Sequence, residues 1–233
     1  MTIAKLASWL PPADKGQSHA ATIIVGSTLL VAVHKYFGSM EFAEKTGLSA
    51  ISPLFFLFVS TFVLLGVLPA LYVKFGLHES LRNYGLQLGD WKAGLASLVV
   101  LYPIIALTLL YPGSLTDGLQ NQYPLDRTAG TSVGHFLSYE LVRGALFYTA
   151  WEFFFRGFML FELRKHLGDW VAISIQIIPS GLWHIGHPFS ETITSILGGI
   201  LFALIALRTR SILWPFLFHY LIGVGFDLLI ILR

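Results

Sequence analysis

The chain of 233 residues contains no cysteine. That excludes disulfides, thiolate nucleophiles and thiolate metal sites. Charge is also scarce: Asp, Glu, Lys and Arg make up 12% of the residues, against 55% hydrophobic. A soluble domain carries roughly twice that share of charge, so the composition describes an integral membrane protein. A net charge of +2 is too small to imply nucleic acid as a partner. No internal repeat, heptad array or low-complexity tract is present. The first nineteen residues, "MTIAKLASWLPPADKGQSH", show no small-residue cleavage site after an apolar run. The expectation is no removable signal peptide, with the first span acting as the insertion signal.

What the chain has in abundance is long apolar runs. A helix needs about 20 apolar residues to cross a bilayer. Seven stretches qualify, at roughly 20–37, 50–73, 93–111, 136–162, 168–187, 190–207 and 211–232. Backbone polar groups in lipid must be satisfied within the segment, which makes each a helix. A short extra helix within 76–91 would bring the count to eight. The expected fold is therefore all-α: a polytopic membrane helix bundle of about seven to eight transmembrane helices, forming one integral membrane domain over 1–233.

The basic residues sort onto two sides. With the N-terminus inside, one side receives Lys5, Lys15, Lys74, Arg82, Lys92, Arg164, Lys165, Arg208 and Arg210. The other receives Lys35, Lys45, Arg127 and Arg233. The excess favours an N-terminus in the cytoplasm. Trp9, Trp91, Trp170 and Trp214 fall at span ends, as interfacial anchors do. The segment 112–135 is rich in Gly, Pro, Asn and Asp and reads as a solvated, turn-filled connector.

Against this background the polar residues inside the spans stand out, because each intramembrane charge costs about 2.5–3.5 kcal/mol on insertion scales. In "AWEFFFRGF", Glu152 and Arg156 are four apart and share one helical face. Glu140 and Arg143 form a second pair nearer the outer end, read as a structural ion pair at the interface. Phe153, Phe154 and Phe155 would shield Glu152 and Arg156 from water and headgroups. Among the eight histidines, His19, His78, His135 and His166 lie in loops or at span ends and read as solvated. His34 is isolated in the first span and reads as a packed histidine. "SGLWHIGHP" places His184 and His187 one turn apart at the end of the fifth span, with Pro188 closing that helix. Glu191 follows at the start of the sixth span. His219 lies in the seventh, with Asp227 beyond it. A buried glutamate can take a proton from water, and histidines can orient that water or donate to an oxyanion.

These motifs resemble the CAAX-protease and bacteriocin-processing family of intramembrane glutamic endopeptidases, over a core of about 135–225. The family signature is Glu-Glu-x-x-x-Arg on one span, Phe-x-x-x-His on a later one, and His-x-x-x-Asn or Asp near the C-terminus. Here the three parts read Trp151-Glu152-Phe153-Phe154-Phe155-Arg156, Ser180-Gly181-Leu182-Trp183-His184, and His219-Tyr220-Leu221-Ile222-Gly223. Trp151 thus replaces the glutamate usually assigned to activate water. Ser180 replaces the phenylalanine, and Gly223 replaces the asparagine that helps form the oxyanion hole. The resemblance implies an endopeptidase that hydrolyses a peptide bond of a membrane-associated protein or peptide, without metal or other cofactor. Glu152 and His184 would activate the water, His219 would support the oxyanion, and Arg156 would hold Glu152. His187, Glu191 and Asp227 are second-tier candidates. The implied setting is a multi-pass protein in a bacterial or archaeal cytoplasmic membrane, with no nucleic-acid partner.

Three other readings compete. A zinc-dependent membrane protease would use His184, His187, Glu191 and His219 as ligands, though the HEXXH pattern is missing. A catalytically inactive relative would act as a binding or immunity protein. A proton-coupled transporter would also keep ionisable groups in its spans, but it would more often show repeated halves with broken helices.

Overall fold

The computed structural model describes residues 14–47 and 52–233. Lys5, Trp9 and the first two positions of the second apolar stretch lie outside the described residues. Long helices occupy all seven apolar stretches. They are α1 (Lys15–Phe37), α2 (Pro53–Gly76), α3 (Trp91–Gly113), α4 (133–167), α5 (Asp169–Trp183), α6 (Phe189–Thr209) and α7 (Leu213–Ile231). By length and composition α1, α2, α3, α6 and α7 are long and apolar enough to cross a membrane. The extra element expected within 76–91 is a single short turn, Leu81–Tyr84, and not another span.

α4 is the axis of the bundle. It touches α1, α2, α5, α6 and α7, and every residue from Ala150 to Leu163 is buried. A helix apolar on all sides belongs in an interior, and "AWEFFFRGFMLFEL" is nearly that. The outer helices show the reverse. Leu29, Val99, Val100, Leu107 and Leu197 are all well exposed, forming the apolar surface that lipid covers.

Two boundaries differ from the sequence expectation, and both matter for the site. α5 ends at Trp183, so His184 and His187 lie in a turn and not on a helix. Gly186, at φ +103°, supplies the positive φ that this reversal requires. Pro188 is the N-cap of α6 instead of the terminator of α5. With 15 residues, α5 is only about 22 Å long, short of the ~30 Å hydrocarbon thickness. The histidine turn follows directly, with the Trp183 carbonyl just before it held by Lys35.

The two groups of basic residues separate as expected among the described residues. At one end Lys165 bonds Glu79 and Arg208 bonds Asp90, each at 2.7 Å. Lys35 and Arg233 lie at the other, on the carbonyls of Trp183 and Ser114. His19 and His166 are not simply solvated, because they flank the buried Glu162 at 2.8 and 3.7 Å. His34 is packed as expected, between Thr61 Oγ1 (2.8 Å) and the indole N–H of Trp183 (3.2 Å).

Trp214 departs from its expected role as an interfacial anchor. It is buried, and its indole donates to the Leu88 carbonyl. Its ring lies against Gly94 of α3, where an added Cβ would fall 2.0 Å from Cδ2. Gly94→Val should therefore lower the thermal midpoint of the detergent-purified protein, at a cost of about 1–3 kcal/mol for overpacking. An unchanged midpoint would show that α3 packs elsewhere.

Candidate active site

The site is built around α4, which widens into π-helical turns at Arg143–Tyr148 and Phe153–Met159. The same widening occurs in α2 and α3, so it is the side chains that single α4 out. Glu152 and Arg156 form the expected pair, with Arg156 Nη1 donating to Glu152 Oε1 at 3.2 Å. Both are sealed, at 0% and 2% exposure. The aromatic shield is present: Phe153, Phe154 and Phe155 are buried, and the guanidinium lies 5.5 Å from the Phe202 ring.

The same Glu152 oxygen accepts a second hydrogen bond, from His219 Nδ1 at 2.7 Å. A carboxylate can only accept here, so Nδ1 carries the proton and Nε2 is left for other work. His184 is held in a similar way. Its Nδ1 donates to the Ser180 carbonyl at 2.8 Å, which also leaves Nε2 free. Each imidazole is thus fixed from behind by a bond that sets its tautomer.

Two cavities, of about 340 and 530 Å³, meet at these groups. Their shared wall contains Tyr123, Arg143, Tyr148, Trp151, His184, Glu191 and His219. The smaller cavity runs toward Lys35, Ser39 and Glu41 at the outer end. The larger runs between α3 and α6 and includes Leu109 and Leu197, which are 45% and 59% exposed on the lipid-facing surface. The arrangement thus offers one approach from the aqueous end and one from the bilayer.

Glu152 lines neither cavity. Position 151, not 152, faces the histidine turn: the Trp151 ring lies 5.8 Å from that of His184. Neighbouring helix positions point about 100° apart, and α4 has not rotated to bring Glu152 into the place of the missing glutamate. Glu152 stands behind His219 instead.

The second-tier residues form two further groups. Glu191 Oε1 lies 2.8 Å from His187 Nδ1 and accepts from the Tyr123 hydroxyl at 2.7 Å. Burial, and then the Glu191 charge, push the Tyr123 hydroxyl well above its ordinary pKa, so it remains a donor. Gln122 Nε2 also reaches His187, at 2.7 Å. The loop before α4 is thus more than the solvated connector the sequence suggests. It supplies Gln122 and Tyr123 to the cavity wall and ties the histidine turn down.

Asp227 is the principal partner of Arg143, at 2.7 Å, whereas Glu140 is 3.5 Å away. This corrects the expected interfacial Glu140–Arg143 pair: all three side chains are buried. The Arg143 guanidinium also lies over the rings of Tyr123, Tyr139 and Tyr148, at 5.9, 5.6 and 5.0 Å. Ring faces stabilise a cation held away from water.

The ligand set required by a zinc site does not converge. Among the described residues, the only grouping of three metal-capable side chains with ligand atoms within 4.8 Å is His19, Glu162 and His166, near the opposite end of α4. His184, His187, Glu191 and His219 do not form one.

Residues 136–224 match a family model described as Type II CAAX prenyl endopeptidase Rce1-like. The family resemblance carried by the motifs holds over this segment. No curated protein and no solved structure gives a significant match. The Rce1-like segment contains Glu152, Arg156, His184, His187, Glu191 and His219, while Asp227 lies just beyond it. The match is thus to a family described as CAAX prenyl endopeptidases, over less than half of the chain. The apolar helices agree with an integral membrane protein.

Proposed function

We propose that the chain is an intramembrane endopeptidase that hydrolyses a peptide bond in a membrane-associated, prenylated tail, with His184 and His219 at the reacting water. The observation that carries this reading is that two imidazoles from separate segments line the same cavity, each anchored through Nδ1. His219 Nε2 accepts a proton from water. Glu152 holds the tautomer and stabilises the imidazolium without itself taking the proton, as carboxylates behind catalytic histidines do. Arg156 fixes Glu152, so both act as positioning residues. His184 Nε2 orients the same water. The hydroxide oxygen bonds to the scissile carbonyl carbon. As the C–N bond breaks, the leaving nitrogen takes the proton from His219. The larger, mostly apolar cavity suits a lipid-modified chain arriving from the bilayer.

A farnesylated peptide with a fluorogenic C-terminal tail, presented in liposomes, tests this reading. Wild-type protein should cleave it, and His184→Ala or His219→Ala should each lower kcat/KM by about 10²-fold or more at an unchanged thermal midpoint. Equal cleavage by the folded His219→Ala protein would overturn the assignment.

One observation favours a second reading. Trp151 fills the place of the water-activating glutamate and packs on Phe147 and Trp183, with centroids at 5.6 and 5.1 Å. An inactive relative that binds tails without cutting them would keep the cavity and lose the base. It would bind the farnesylated peptide and leave it intact.

A further inference from the structure

The peptidase reading leaves one function without a residue. In the family motif an asparagine four positions after the third-motif histidine helps form the oxyanion hole, and here that position is Gly223. The structure shows what occupies the space. A Cβ built on Gly223 would lie 2.1 Å from the Tyr148 hydroxyl oxygen and 2.9 Å from Cζ. Gly223 is therefore not a void. It is the gap into which a phenol from α4 projects.

The register explains the placement. α4 and α7 run antiparallel. Tyr148 lies four residues before Glu152 on α4, and Gly223 lies four after His219 on α7, so both pairs fall on facing ridges. Glu152 meets His219, and one turn along Tyr148 meets Gly223. The Tyr148 ring packs on His219 with centroids 4.6 Å apart, and Arg143 holds its other surroundings, 5.0 Å from the ring. Tyr148 lines both cavities. Its hydroxyl has no hydrogen-bond partner among the described residues, and it is not among the sealed polar atoms.

The geometry points to Tyr148 as the oxyanion donor of this chain, its hydroxyl replacing the side chain missing at Gly223. The inference rests on the peptidase reading above. When the hydroxide oxygen bonds to the carbonyl carbon, the π pair moves onto the carbonyl oxygen. Tyr148 donates a hydrogen bond to that oxyanion and keeps its proton. The pair returns as the C–N bond breaks.

Four proteins in the liposome assay test it: wild type, Tyr148→Phe, Gly223→Asn, and the double variant Tyr148→Phe/Gly223→Asn, with His219→Ala reporting on the peptidase reading itself. Loss of one oxyanion donor lowers kcat by about 10²–10³-fold. Tyr148→Phe should show that loss in kcat, with KM and thermal midpoint little changed. Gly223→Asn alone should lower the midpoint, because the phenol is in the way. The double variant, with an amide where the hydroxyl stood, should regain at least about tenfold over Tyr148→Phe. A Tyr148→Phe enzyme within about threefold of wild type, while His219→Ala is dead, would overturn the inference and leave the peptidase reading intact. So would a folded double variant no better than Tyr148→Phe. A folded wild-type protein that cleaves no probe would overturn both.

Discussion

Arg143→Met should be among the most destabilising single changes in the protein. The guanidinium is buried with two carboxylates, Asp227 at 2.7 Å and Glu140 at 3.5 Å. Removing it leaves those acids facing each other with no cation. Breaking a buried pair in this way costs about 3–5 kcal/mol, most of it the penalty of the stranded charge. The variant should accumulate poorly in the membrane and, once purified, melt well below wild type. Neutralising the stranded partners reverses the sign of the argument. Arg143→Met combined with Glu140→Gln and Asp227→Asn should regain most of the loss, because a buried ion group often contributes little beyond its neutral replacement. A single variant as stable as wild type would mean that the triad is hydrated.

Glu152→Gln should reduce stability and activity together, and the two effects can be separated. Arg156 loses its only ion-pair partner among the described residues, again at about 3–5 kcal/mol. Adding Arg156→Met removes the stranded charge and should restore the thermal midpoint. Activity then discriminates between two roles for Glu152. As a positioning residue, its glutamine replacement still accepts from His219 Nδ1, so the stable double variant should retain part of wild-type kcat. As the group that deprotonates water, its loss would leave the stable double variant dead. Cleavage of the farnesylated peptide by the stable double variant is the measurement that decides.

The seven helices were readable because each is a long apolar run, and the Glu152–Arg156 contact because spacing by four fixes a shared helical face. Packing of His34 followed from its isolation. Other features depend on how one helix is turned against another, which periodicity along a single segment does not encode. Asp227 reaches Arg143 from another helix, and Glu152 reaches His219 rather than the cavity. Tyr148 and Tyr123 carried no signal at all: one is an aromatic among aromatics, the other a tyrosine in a Gly- and Pro-rich loop. The clue to Tyr148 was the glycine at 223, a missing side chain opposite a bulky one. The end of α5 was obscured because "SGLWHIGHP" stays apolar past the last helical residue. Gly186 was the visible breaker.

A shared hydrolytic water requires the histidine turn and α7 to converge at one cavity, and the absence of cysteine allows that to be measured without a substrate. His184→Cys/His219→Cys in the otherwise cysteine-free protein, treated in native membranes with a short bifunctional thiol reagent, should cross-link within one chain. Both thiols should then be protected from a polyethylene-glycol maleimide added after denaturation. Two thiols that react with the reagent singly, and are both labelled afterwards, would place the imidazoles apart and contradict the shared hydrolytic site.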